Sequence, residues 1–164
     1  MCFCFESVVP VGREAVFAFF ANPGHLTLLH AGCSSVRLLH HENQVRVGAQ
    51  TWVEVTSLGF VPMVLGFRHM VYESPACFGE LAIHGPFSRF LHVHQFEDCG
   101  GQTVIRDLLE VTWPWRYGGA ALLRKVVAPR INRMFRLRSE ALQRLVEDGA
   151  LSSQPDPSQP AGGG

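Results

Sequence analysis

Four ionisable side chains define the chemistry open to this chain. His92 and His94 occupy alternate positions in the run Leu91-His-Val-His-Gln-Phe96, and Asp107 lies in the run Thr103-Val-Ile-Arg-Asp-Leu-Leu-Glu-Val111. Gly100-Gly101 separates the two runs. Alternating segments flanking a glycine turn predict a β-hairpin. Strand side chains alternate between faces, so His92, His94 and Phe96 share one face, and Thr103, Ile105, Asp107, Leu109 and Val111 share another. The second set is mostly apolar and is expected to face the interior. With Phe96 opposite Thr103, His94 falls opposite Ile105 and His92 opposite Asp107. Imidazoles and a carboxylate then point into a core.

A fourth group comes from the C-terminal part of the chain. At 3.6 residues per turn, Ile131, Met134, Phe135, Leu142 and Leu145 form one apolar stripe, with Arg138 near its centre. Arg130, Arg133, Arg136 and Arg144 fall on the opposite side, where a solvated charged face is the simplest reading. An arginine on the core face needs a buried partner, because an unpaired buried charge costs at least ~3 kcal/mol. Asp107 is the inward carboxylate available. A cluster of Arg138, Asp107 and His92, with His94 nearby, is therefore expected. It has two readings. In one, an ion pair locks the helix onto the sheet. In the other, His92, Asp107 and Arg138 act as acid–base and electrophilic groups on a bound carbonyl compound.

Other polar positions carry less. His69, Tyr72 and His84 fall on predicted strands, where single polar residues are usually satisfied locally. His92-x-His94 offers two metal-type donors on one strand, but no third ligand follows at usual spacing, so no metal and no cofactor are expected. Gly118-Gly119 forms neither a dinucleotide fingerprint nor a phosphate loop. The five cysteines are odd in number and form no C-x-x-C pair. They read as free thiols in a reducing compartment, and Cys2-x-Cys4 places two of them on one strand face.

The elements that position these groups follow from the rest of the chain. Its 164 residues, 47% hydrophobic and 17% charged, suit one globular domain, and a formal net charge of zero gives no footprint for nucleic acid. Residues 2–9 read as a strand and Arg13–Ala21 as a helix ended by Asn22-Pro-Gly24, with a short helix over His25–Leu29. Val36–His40, Gln50–Ser57, Val64–Tyr72, Phe78–His84, Leu91–Glu97 and Thr103–Val111 read as strands separated by turn residues, which argues for an antiparallel meander. Trp113-Pro-Trp-Arg-Tyr-Gly-Gly119 reads as a loop that gates a cavity or touches a membrane. A long helix follows over Ala120–Glu147, bent near Pro129. Residues 1–150 are expected to form the domain, and 151–164, rich in Ser, Gln, Pro and Gly, a disordered tail. No basic region followed by an apolar run opens the chain, and Leu58–Phe67 is too short to span a bilayer, so a cytoplasmic location is expected. The fold class is α+β, an antiparallel sheet of about seven strands curled around the C-terminal helix.

This order, together with Pro10-x5-Val16-Phe-Ala-Phe19, Asn22-Pro-x-x-Leu26, Gly48, Gly85-Pro-Phe87, His92-x-His94-x-Phe96, Gly101-x-Thr103-x3-Asp107 and Phe135-x-x-Arg138, resembles the START-like (SRPBCC) superfamily with its helix-grip fold. Bacterial ligand-binding and polyketide cyclase/dehydrase-type members are the nearest match, over residues 3–147. The resemblance implies a deep apolar cavity between the concave sheet and the terminal helix. Its walls would be Val16, Phe20, Val53, Val55, Phe67, Val71, His94, Phe96, Ile105, Leu109, Ile131, Met134 and Phe135. It implies a binder of a small hydrophobic ligand such as a lipid, polyketide or quinone. The alternatives are a cyclase or dehydratase using His92, Asp107 and Arg138, and a lipid or quinone chaperone acting at a membrane or partner protein. The sequence does not assign an oligomeric state.

Overall fold

The structure, a computed structural model, describes residues 1–31, 36–57 and 61–151. Strand β1 (Cys2–Val9) leads to helix α1 (Arg13–Phe20), a 3-10 turn (Pro23–His25) and the one-turn helix α2 (Leu26–Leu29). Six strands follow: β2 (Val36–His41), β3 (Gln50–Ser57), β4 (Val61–Glu73), β5 (Cys77–His84), β6 (Arg89–Asp98) and β7 (Thr103–Thr112). They form one sheet in the order β1-β7-β6-β5-β4-β3-β2. Every neighbouring pair is antiparallel. A 3-10 turn (Trp115–Tyr117), a short helix α3 (Gly119–Leu122), a π-helical turn (Leu123–Val127) and the long helix α4 (Ala128–Glu147) complete the chain. Among the described residues no helix is long and apolar enough to cross a membrane.

Alternation decides which side chains enter. Along β7 the odd residues Thr103 to Val111 are buried and the even ones are not. β6 shows the same pattern at Phe90, His92, His94 and Phe96. Bulges in β2 and β4 interrupt the ladder, and an extra residue on one strand bends and twists it, which curls the sheet towards α4. The outer face is also closely fitted: a Cβ on Gly66 of β4 would come within 2.8 Å of the Trp52 ring on β3.

Several expectations need correction. The hairpin register is shifted by two residues: Phe96 pairs with Ile105, His94 with Asp107 and His92 with Leu109. The turn is longer than the two glycines, because Asp98 pairs with Thr103 and Cys99 N–H donates to the Gln102 carbonyl. Val71 is not a cavity wall. The β4 bulge skips Met70, so His69 faces Glu80 across the ladder, Val71 turns outward at 39% exposure, and Tyr72 turns back to set its ring against Phe17. The long terminal helix expected over Ala120–Glu147 is present, with one π-helical turn (Leu123–Val127) inside it just before Pro129. Pro129 has no N–H and its ring would crowd the Lys125 carbonyl, so the turn before α4 widens and the proline sits in the first turn of α4. Leu151, assigned to the tail, is fully buried in the core; residues 152–164 lie outside the described ones, as does the turn expected at Leu58-Gly59.

The interior divides in two. One cluster gathers Val16, Phe17, Phe19 and Phe20 of α1 with Phe78, Phe96, Ile105, Leu142 and Leu151, all buried. The other has a buried centre of Val53, Phe67, Leu109, Ile131 and Phe135, surrounded by side chains that are only partly buried. The polar cluster lies where the two meet: Phe20 of the first stands edge-on to His94, and Phe135 of the second edge-on to His92.

Candidate functional site: a buried charge cluster between sheet and helix

β7 presents Asp107, β6 presents His92 and His94, and α4 presents Arg138 from the opposite wall. All four are buried, with 5–7% of their surface exposed. His92 Nε2 lies 2.9 Å from Asp107 Oδ1, and His94 Nδ1 lies 2.6 Å from the same oxygen. Arg138 Nη2 approaches that oxygen at 3.5 Å, with its guanidinium over the rings of Phe20 (5.1 Å) and Phe135 (5.4 Å). A carboxylate only accepts, so both imidazoles donate to Asp107. The 3.4 Å approach of Arg138 Nη2 to His94 Nδ1 is then a contact between two donors that share one acceptor. The expected union of Arg138, Asp107 and His92, with His94 beside it, is therefore present.

Glu80 joins them, although it was not among the residues expected from the sequence. It pairs with His92 across β5 and β6, which turns its carboxylate inward. Its Oε1 lies 3.6 Å from His92 Nδ1 and its Oε2 lies 3.9 Å from His69 Nε2. The available signal was parity: Phe78, Glu80 and Ala82 alternate along one strand, and Phe78 is plainly a core residue. His69 is buried, with Thr51 Oγ1 3.3 Å from its Nε2. Its Nδ1 is buried and has no hydrogen-bond partner among the described residues. Tyr72 sits against Phe17, and His84 is exposed beside Trp52 on the outer face. His30, at the end of α2, hydrogen-bonds the Leu26 carbonyl through Nδ1 at 2.8 Å.

The electrostatics follow from this crowding. Burial and then the Arg138 charge press His30 down to about 4. Burial followed by the neighbouring His92 does the same to His94, also to about 4. Burial also lowers His92, but its hydrogen bond to Asp107 and the nearby Glu80 carboxylate outweigh it and hold that imidazole above its ordinary value. Burial alone would raise Asp107; Arg138 and the two imidazoles reverse this and hold it well below the usual carboxylate range. Glu80 is likewise raised by burial but brought down to about 2, chiefly by the neighbouring His92. At neutral pH the network therefore holds two carboxylates against Arg138 and against His92, whose protonated form they favour, with His94 neutral. It can lock the helix, present hydrogen-bond donors to a carbonyl oxygen, or hold a cation: ligand atoms of Glu80, His92 and His94 all lie within 4.8 Å of one another.

The remaining expected wall residues divide by burial. Val16, Phe20, Val53, Phe67, Phe96, Ile105, Leu109, Ile131 and Phe135 are buried, while Val55 and Met134 are partly buried against the second cluster. Val36, Leu38 and Leu65 share the inner face with Val53 and Val55 by register, and they too are only partly buried. A separate cleft of about 280 Å3 opens between β1 and α4. Phe5, Ser7, Phe20, Asp107, Phe135 and Arg138 are among its lining residues, so it reaches the charge cluster.

No protein-family profile and no curated protein matches the sequence. Solved structures do match the fold. The protein TTHA0849 from Thermus thermophilus superposes with a TM-score of 0.71 at 16% identity, over 94% of this chain and 100% of its own. Ara h 8.0201 gives 0.66 at 14% identity, covering 94% and 99% of the two chains. The major latex-like protein 151 of Panax ginseng gives 0.67 at 8% identity, covering 88% and 95%. At these identities the likeness is one of fold: a curved seven-stranded antiparallel sheet gripping a C-terminal helix, the helix-grip arrangement that the sequence resembled.

Proposed function

We propose that the protein binds a small, largely apolar molecule between the concave sheet and α4. A lipid, polyketide or quinone has the required chemistry. One observation carries the reading: Val36, Leu38, Val55 and Leu65 stand on the inner face of the sheet but remain only partly buried. Apolar side chains on a concave face are ordinarily filled over by a core; where they are not, a ligand is the natural occupant. The charge cluster at the boundary of this space supplies polar groups to orient such a ligand, with Arg138 and His92 facing its oxygen atoms. Native mass spectrometry of protein purified from its own host tests the proposal. A co-purifying hydrophobic molecule, displaced in the variant Val55→Phe, is the expected result. An empty protein that a broad hydrophobic library fails to stabilise thermally overturns it. Turnover of a captured polyketide would move the assignment to a cyclase or dehydratase working through His92, Asp107 and Arg138.

A second reading, a carrier that exchanges its ligand at a membrane, is favoured by the turn before α3. Trp115 is 89% exposed and Tyr117 52% exposed. Between Trp113 and Ser139 the sequence carries six exposed cations (Arg116, Arg124, Lys125, Arg130, Arg133 and Arg136) and no acidic residue. Aromatic tips beside cations suit an anionic interface. Flotation with anionic but not neutral vesicles is the expected result, and loss of flotation in Trp115→Ala distinguishes this turn from general charge.

A further inference from the structure

The geometry points to a divalent metal site formed by Glu80, His92 and His94, with Asp107 as the group that orients both imidazoles. The ion is of the borderline class that takes nitrogen and oxygen ligands, typified by Zn²⁺ and Co²⁺. The inference is independent of any organic ligand.

The argument starts from Asp107. Its Oδ1 accepts from His92 Nε2 at 2.9 Å and from His94 Nδ1 at 2.6 Å. In a neutral imidazole the nitrogen that does not donate carries the lone pair. With both imidazoles neutral, as metal binding requires, the lone pairs fall on His92 Nδ1 and His94 Nε2. A carboxylate that takes the far N–H of a histidine, fixing its tautomer and ring orientation, is the recurring outer support of metal-bound histidine. Here a single carboxylate does this for two histidines whose ring centroids are 4.0 Å apart.

Glu80 completes the set. Its Oε1 faces His92 Nδ1 at 3.6 Å, too far for a good hydrogen bond. Two ligands held ~2.0–2.1 Å from one tetrahedral ion stand ~3.3–3.4 Å apart. The observed separation is close to that, so an ion can take the place of the proton that otherwise lies between His92 and Glu80. One ligand atom from each of Glu80, His92 and His94 lies within 4.8 Å of the other two. Charge permits it. Glu80 and Asp107 carry two negative charges and Arg138 one positive, so a dication that replaces a proton on His92 leaves the buried cluster at a single positive charge. Arg138 Nη2 stands 3.5 Å from Asp107 Oδ1 and 3.4 Å from His94 Nδ1. The cluster is also reachable: the Glu80 side chain is 17% exposed, and Asp107 and Arg138 line the cleft between β1 and α4.

The test uses the full chain freed of metal by a chelator. Calorimetric titration with Zn²⁺ is expected to show one ion per chain. Glu80→Gln and His94→Gln should each lose binding, and Asp107→Asn should weaken it about 10–100-fold. Long-range ¹⁵N correlation spectra of the wild-type protein keep the test independent of whether those variants fold. On addition of Zn²⁺, His92 Nδ1 and His94 Nε2 should move to metal-bound shifts, while His25, His40 and His41 stay in place. Three results overturn the inference. One is no saturable binding to the folded wild type. Another is binding that shifts only other histidines. The third is a thiolate charge-transfer band with Co²⁺, which would place the ion on exposed cysteines such as Cys2 and Cys4.

Discussion

Replacing Asp107 with Asn tests whether the cluster fastens the helix to the sheet. The substitution keeps the shape and some acceptor capacity of the side chain but deletes the charge that faces Arg138 at 3.5 Å and receives both imidazoles. Arg138 is 6% exposed, and its guanidinium packs over the rings of Phe20 and Phe135. It is left as a buried cation without its partner. Removing one member of a buried pair typically costs about 3–5 kcal/mol. With a urea m-value of about 2 kcal/mol/M, that lowers the midpoint by about 2 M, and the melting temperature by roughly 10 °C. The informative comparison is the double variant Asp107→Asn/Arg138→Met. If the cost of the single change is an uncompensated charge, removing the second charge restores much of the loss, because an apolar pair of similar volume is often as stable as the ion pair. Urea unfolding followed by tryptophan fluorescence and far-UV circular dichroism at neutral pH measures both. A single variant that loses less than about 1 kcal/mol, or a double variant that loses the sum of the two single losses, refutes the coupling of β7 to α4 through this pair.

Other perturbations separate the parts of the molecule. In metal-free protein, stability should fall on acidification between about pH 6.5 and pH 4, by an order of 1–3 kcal/mol from His94 alone. The sign follows from the unfolded chain taking up a proton near 6.5 that folded His94 and His30 refuse until about 4. Urea midpoints across that range check it, and a flat profile contradicts it. Glu80 and Asp107, with depressed values, hold their contribution through this window and lose it only in strong acid. Phe19→Ala, at a site 1% exposed, should cost about 3–5 kcal/mol. Val55→Phe should change stability by less than about 1 kcal/mol, because the added ring enters unfilled space, whereas Val16→Phe at a fully buried site should cost about 1–3 kcal/mol. Gly79→Ala should separate β5 from β6: its Cβ would lie 3.1 Å from Val93 Cγ2 and 3.3 Å from the His92 carbonyl. Weaker Zn²⁺ binding in that variant, without any ligand being touched, is the expected readout.

Most of the sheet was legible because alternation is a strong signal where one face is buried. The hairpin shows why the cluster was found even though its register was misplaced. A shift of two residues moves every partner but preserves the face, so His92, His94 and Asp107 still converge. Arg138 was legible as a charge in the middle of an apolar stripe. Val71 was misread because a bulge breaks alternation without any marker in residue type; Met70, which it skips, is an ordinary strand residue. Glu80 was overlooked because a glutamate beside glycine reads as a solvated position. Its parity with Phe78 points inward, and its pairing with His92 across two strands fixes that direction. The π-helical turn was anticipated as a bend, since Pro129 signals the lost hydrogen bond but not how the preceding residues absorb it.

The divided interior has a consequence for how such a chain can change. Phe17, Phe19, Phe78, Phe96 and Leu142 make a filled half that ties α1, the middle of the sheet and the end of α4 into one body. Leu38, Val55, Leu65 and Met134 belong to a half where exchanging one apolar residue for another alters shape more than it alters stability. A lineage under pressure to accept a different molecule could therefore vary that half freely. The margin above unfolding would be held elsewhere, so new recognition need not be accompanied by compensating substitutions in the rest of the protein.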